Sequence, residues 1–169
     1  MRLSMLRRSS QVEGPEPRGL ARLDKRTKDL TKRLRPGEVA VIDHLDIDRV
    51  AAEGLLACAP SAVVNASASI SGRYPNLGPG ILVEAGIPLL DAVGPDVFGR
   101  LHDGDAVVLD GARLLHEGGV VAEGQLLDAA SVQKSMDEAR AGLSVQLEAF
   151  ASNTMEYLRQ ERDLLIDGV

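Results

Sequence analysis

The chain has 169 residues, a net charge of −6, 44% hydrophobic residues and only 2% aromatics, so its core is built from Val, Leu, Ile and Ala. That length suits one modest domain with appendages. The composition excludes three classes: no run approaches the roughly 18 apolar residues of a membrane span, the single Cys58 cannot form an internal disulfide, and an acidic chain without stacking aromatics makes a poor nucleic-acid binder.

Residues 1–36 form a basic leader with a short helix. Up to Arg35 there are 11 Arg and Lys against 4 Asp and Glu, which puts about +7 on this head and about −13 on the remainder. The first ten residues lack the apolar h-region of a signal peptide, which predicts a cytoplasmic chain. Basic side chains there would attract anionic lipid at about 1 kcal/mol each, or form a solvated leader. Leu23, Thr27, Leu30 and Leu34 recur at three- and four-residue steps, predicting a helix over 22–34 that Pro36-Gly37 stops.

Residues 37–127 alternate strand and helix patterns. Strands are predicted at 38–42, 61–66, 87–91, 106–109, 113–116 and 120–122. Helices are predicted at 47–57 with Asp46 as N-cap, at 78–85 opened by Gly78-Pro79 and closed by Gly86, and at 94–101. The fold class is therefore α/β, a small mixed-sheet domain. Residues 128–165 form a long amphipathic helix in which Met136, Leu143, Phe150 and Tyr157 repeat every seven residues, with Leu147 on the adjoining seam. Ser135-Met-Asp-Glu138 reads as a capping box, and Asp128 offers an earlier start. A helix of about 30 residues spans some 45 Å and overhangs so small a domain, leaving part of the stripe for a second subunit or a further domain.

The densest functional signal is Asn65-Ala-Ser-Ala-Ser-Ile-Ser-Gly-Arg-Tyr-Pro-Asn-Leu-Gly-Pro-Gly80, directly after an apolar strand. Asn65, Ser67, Ser69, Ser71, Gly72, Arg73, Tyr74, Asn76 and Gly78 are its candidate ligand- or partner-binding residues. Helix-terminal amides near Gly78, together with Arg73, suit an anion or a carboxylate. Alternatively Arg73 locks the loop by pairing with Asp91, Asp110 or another acid. No Gly-x-Ser-x-Gly elbow accompanies the serines and no phosphate-binding Gly-rich loop exists, so hydrolysis and nucleotide binding are not expected of this chain. Asp43, His44, Asp46 and Asp48 invite a metal reading, but strand and cap geometry sends them to different sides. His102 and His116 read as surface residues near hairpin turns.

The loop resembles the signature of the SteA-like bacterial cell-division proteins. So do Gly37-Glu-Val-Ala-Val-Ile-Asp-His-Leu-Asp-Ile-Asp-Arg49, Glu84-Ala-Gly-Ile-Pro88, Leu147-Glu-Ala-Phe-Ala-Ser-Asn-Thr154 and Leu164-Leu-Ile-Asp-Gly168, which extends the likeness over nearly everything after Gly19. The resemblance implies a cytoplasmic interaction module, recruited to the inner face of the membrane at the division septum, that scaffolds or regulates wall splitting with a membrane-bound protein partner. A homodimer through the long helix is a second partner reading. Family members continue into a domain similar to thiamine pyrophosphokinase, so the alternative is an accessory domain of such an enzyme, with ATP entering only through that downstream domain. The chain itself is expected to need no cofactor and to catalyse nothing. Leu101-His-Asp-Gly-Asp-Ala-Val-Val-Leu-Asp-Gly111, following Gly86-Ile-Pro88, also looks like part of the swivelling phosphohistidine domains, but no His occupies the loop where theirs is phosphorylated. Only the fold analogy, a swivelling β/α domain, carries over.

Overall fold

The computed structural model describes residues 16–167, so the first fifteen residues of the basic leader lie outside the described residues. The elements run β1 (Arg18–Leu23), α1 (Thr27–Leu30), β2 (Val39–Ile42), α2 (Arg49–Ala57), β3 (Ala62–Asn65), α3 (Gly78–Glu84), β4 (Leu89–Asp91), α4 (Val97–Arg100), β5 (Ala106–Asp110), β6 (Arg113–His116), β7 (Gly119–Glu123), β8 (Gln125–Leu127) and α5 (Ala129–Asp167). They build one eight-stranded mixed sheet in the order β7-β6-β5-β1-β2-β3-β4-β8. Strands β1 to β4 are parallel neighbours, β5 and β8 flank them antiparallel, and β6 and β7 extend the meander beyond β5. The α/β fold class thus stands.

Alternation along the central strands divides the core in two. Val39, Val41, Ala62, Val64 and Leu90 face Val97 and Leu101 of the α4 region together with Val107, Leu109 and Leu114 of the meander. Ala40, Ile42, Val63 and Leu89 face Leu30, Leu55 and Leu82 from α1, α2 and α3. Both faces of the parallel strands are covered, which is why β2 and β3 are buried at every residue. Each fully buried Leu or Ile contributes about 1.5–3 kcal/mol.

Three expectations are corrected. The helix anticipated over 22–34 begins only at Thr27; residues 18–23 are instead a strand inserted between β5 and β2, so the sheet starts ahead of residue 37. Helix-forming composition yields here to sheet pairing, and Gly19 permits it, because a Cβ at that position would overlap the Gly37 carbonyl. The α2 helix is capped by Asp48, whose Oδ1 accepts the Ala51 amide at 2.7 Å, and not by Asp46. The Ser135 capping box is not used, and α5 starts at Ala129, at the alternative Asp128 cap. There the Ser131 amide donates to Asp128 Oδ1 at 2.7 Å and the Asp128 amide donates to Ser131 Oγ at 2.9 Å, a reciprocal cap that leaves Ser135 inside the helix. Edge strand β8 is absent from the sequence reading. Its three residues are too short to show a period, and they become a strand by pairing with β4.

Candidate functional site

Loop 66–77 crosses the carboxyl ends of β2, β3 and β4, where open α/β sheets hold their ligands. Here the loop itself fills the crevice, tied down by three carboxylates from the strand ends. Asp91, the last residue of β4, accepts the Ser69 amide at 2.9 Å and the Ser69 hydroxyl at 2.6 Å. Asp43, just after β2, accepts the Ser67 hydroxyl. Asp46 accepts the Ser71 amide at 2.7 Å, the Ser71 hydroxyl at 2.8 Å and the Asn76 amide group at 2.9 Å. Asp46 reaches this position from a left-handed backbone with φ of 58°, which short polar side chains tolerate best after Gly. Its amide donates to the Ala68 carbonyl at 2.9 Å, adding a main-chain tie.

Asn65 is the hub of the arrangement and fully buried. Its Oδ1 accepts the His44 and Ser67 amides at 3.0 and 3.1 Å, while Nδ2 donates to the His44 carbonyl at 2.8 Å and to Ser69 Oγ at 2.9 Å. Buried polar groups paired this fully hold one loop conformation. Burial pushes the Asp91 carboxyl above its ordinary value, against the pull of the Ser69 bonds. Asp43, His44, Asp46 and Asp48 are spent separately: His44 Nδ1 shares a 2.8 Å hydrogen bond with Thr27 Oγ1, and Asp48 caps α2.

The structure therefore separates the candidate residues into two groups. Asn65, Ser67, Ser69, Ser71 and Asn76 are engaged in holding the loop. Gly78 belongs with them, because a Cβ there would run into the Ile47 carbonyl. Gly72, Arg73 and Tyr74 form the exposed tip, where Gly72 takes φ of 91° and Tyr74 is 48% exposed. Arg73 makes no ion pair among the described residues, so the alternative lock to Asp91 or Asp110 does not form; Asp91 is taken by Ser69. Gly78 and Pro79 are buried, while Leu77 and Gly80 on either side of them face the groove beside the loop. The three anchoring acids escaped the sequence reading as a set, because nothing in the spacing of Asp43, Asp46 and Asp91 announces a shared target.

Beside the loop, α2, α3 and the root of α5 enclose a groove of about 600 Å³. Leu56, Leu77, Ile81, Val132 and Met136 supply its apolar lining and Arg49, Glu53, Glu84 and Arg140 its charges. A Cβ at Gly142 would lie 3.9 Å from the Gly72 carbonyl, so the loop tip lies against α5 at the groove's far end. Of the candidate helix residues, Met136 is buried against the domain and Leu143 is partly covered, whereas Leu147, Phe150 and Tyr157 are 57%, 69% and 60% exposed. From residue 144 to 166 every residue of α5 is exposed.

Among the described residues no three His, Cys, Asp or Glu side chains form a metal-binding group, and no helix is long and apolar enough to cross a membrane. Comparison with protein-family models and with curated proteins gives no match for this chain.

Proposed function

We propose that the chain is a protein-docking module, without chemistry of its own, acting in bacterial cell division as the likeness to SteA-like proteins implies. The observation that carries this reading is the exposed apolar stripe of α5. Leu147, Phe150, Tyr157 and Leu158 lie open along a helix whose preceding turns pack Val132, Met136 and Ala139 onto the domain. A solitary helix gains little stability from propensity alone, and an apolar face of this size marks an interaction surface. The loop tip adds a rigidly mounted Arg73 and Tyr74, side-chain types favoured at binding hot spots. The domain would serve as the mount for both, and the membrane-bound partner at the septum would read the tip on the assembly that the helix builds.

The test is septal recruitment of the fluorescently tagged chain in dividing cells of its own host. Wild type is expected at the division site, with Phe150→Asp/Tyr157→Asp and Arg73→Ala/Tyr74→Ala chains dispersed though equally abundant. Uniform distribution of the wild type would overturn the division role.

A further inference from the structure

The apolar stripe of α5 and the groove at its root lie on one helical face. Val132, Met136 and Arg140 line the groove, and the same three- and four-residue steps continue outward through Leu143, Leu147, Phe150, Thr154 and Tyr157. Groove and distal stripe suit each other chemically. The groove is apolar within a rim of both charge signs, and the distal segment carries exposed aromatics and aliphatics flanked by Glu156, Arg159 and Arg162. They cannot meet within one molecule, because α5 is a continuous helix from Ala129 to Asp167 and holds them apart.

We propose that a second copy of this chain joins them, through an antiparallel two-fold exchange in which the distal half of each α5 lies over the other copy's groove. The inference rests on reading α5 as a docking element and names its occupant. A dyad near Val145 sets Leu147 against Leu143, Phe150 against Arg140 and Tyr157 against Gln133 of the other copy. Phe150 then offers its ring face to the Arg140 guanidinium, a favourable cation–π pairing. The contact is isologous, so one pair of complementary features forms it twice.

Area favours this exchange over a simple pairing of the free ends. The exposed residues 144–166 amount to about 35 Å of helix, and two such stretches side by side cover roughly 700 Å² in all, below the ~1,200 Å² of a stable interface. Overlap from the groove to the distal turns lengthens the contact to about 50 Å and adds both grooves, which reaches that range.

Sedimentation equilibrium of the full chain at about 100 μM, sensitive to micromolar dissociation constants, is expected to give twice the monomer mass. Phe150→Asp/Tyr157→Asp is expected to weaken the dimer at least about tenfold with an unchanged circular-dichroism spectrum, since both side chains are exposed in the single chain. In a Cys58→Ser background, mixed Gln133→Cys and Tyr157→Cys chains are expected to form a disulfide. Tyr157→Cys alone is not, because antiparallel helices put the two copies of residue 157 about 36 Å apart. Self-linking of Tyr157→Cys would establish a parallel coil and overturn the exchange. A chain that stays monomeric while its septal recruitment still requires Phe150 and Tyr157 would overturn the second copy and leave the docking reading intact.

Discussion

Asp46 accepts both the amide and the hydroxyl of Ser71, at 2.7 and 2.8 Å, across 25 residues of chain. With Asn76 as a third donor at 2.9 Å, this carboxylate holds both flanks of the exposed Arg73-Tyr74 tip. The tip owes its rigidity to the strand ends beneath it, not to its own sequence.

Replacing Asp46 should therefore loosen the loop in two separable ways. Asp46→Ala loses three hydrogen bonds to a charged acceptor and strains a left-handed residue, for about 3–4 kcal/mol in a urea titration. Asp46→Gly loses the same bonds without the strain and should be about 1 kcal/mol less harmful. Equal losses would mean that the left-handed backbone at residue 46 relaxes freely.

Gly78 and Gly72 test two different demands on glycine. Gly78→Ala pushes a Cβ into the Ile47 carbonyl and should cost about 1–3 kcal/mol through overpacking. Gly72→Ala meets nothing within 4 Å, and its φ of 91° alone should cost about 1–2 kcal/mol. Proteolysis within the loop should accelerate in both variants.

Asp91 makes a prediction in pH. Burial raises its pKa above the ordinary 3.8, so its contribution to stability is fully present below that value and is lost as pH climbs through the raised folded pKa. Wild type should lose stability relative to Asp91→Asn over that climb, as followed by urea midpoints at successive pH values. A constant difference would show that Asp91 ionises as freely folded as unfolded.

Glu38 behaves in the opposite sense. Burial alone would raise its carboxyl, but the bonds from Arg22 Nε at 2.6 Å and the Arg35 amide at 2.7 Å outweigh it and hold the pKa below 4.5. The stability gained is present above 4.5 and lost as pH falls through the depressed folded value. Arg22→Ala leaves a buried carboxylate short of its partner and should cost about 1–3 kcal/mol at pH 7, because Arg22 is itself partly exposed. As pH falls through that depressed value the cost should shrink, since protonated Glu38 no longer needs the cation.

Local pattern determined much of this molecule. The apolar runs of β2 and β3, the Gly78-Pro79 start and Gly86 stop of α3, and the seven-residue repeat of α5 are each dictated by side chains within a few residues of one another, so they were legible without coordinates. Tertiary structure decided what depended on distant partners. Arg18–Leu23 became a strand because β5 and β2 flank it, and Gln125–Leu127 because β4 offers an edge. Asp46 left the role of helix cap because its left-handed backbone turns the carboxylate toward Ser71 and Asn76. The division of the signature loop into buried anchors and an exposed tip, and of α5 into a packed root and a free stripe, had the same origin. A heptad repeat states which residues share a face, and only the packing of α3 and the loop tip against the root of α5 determines how far along the helix that face is covered.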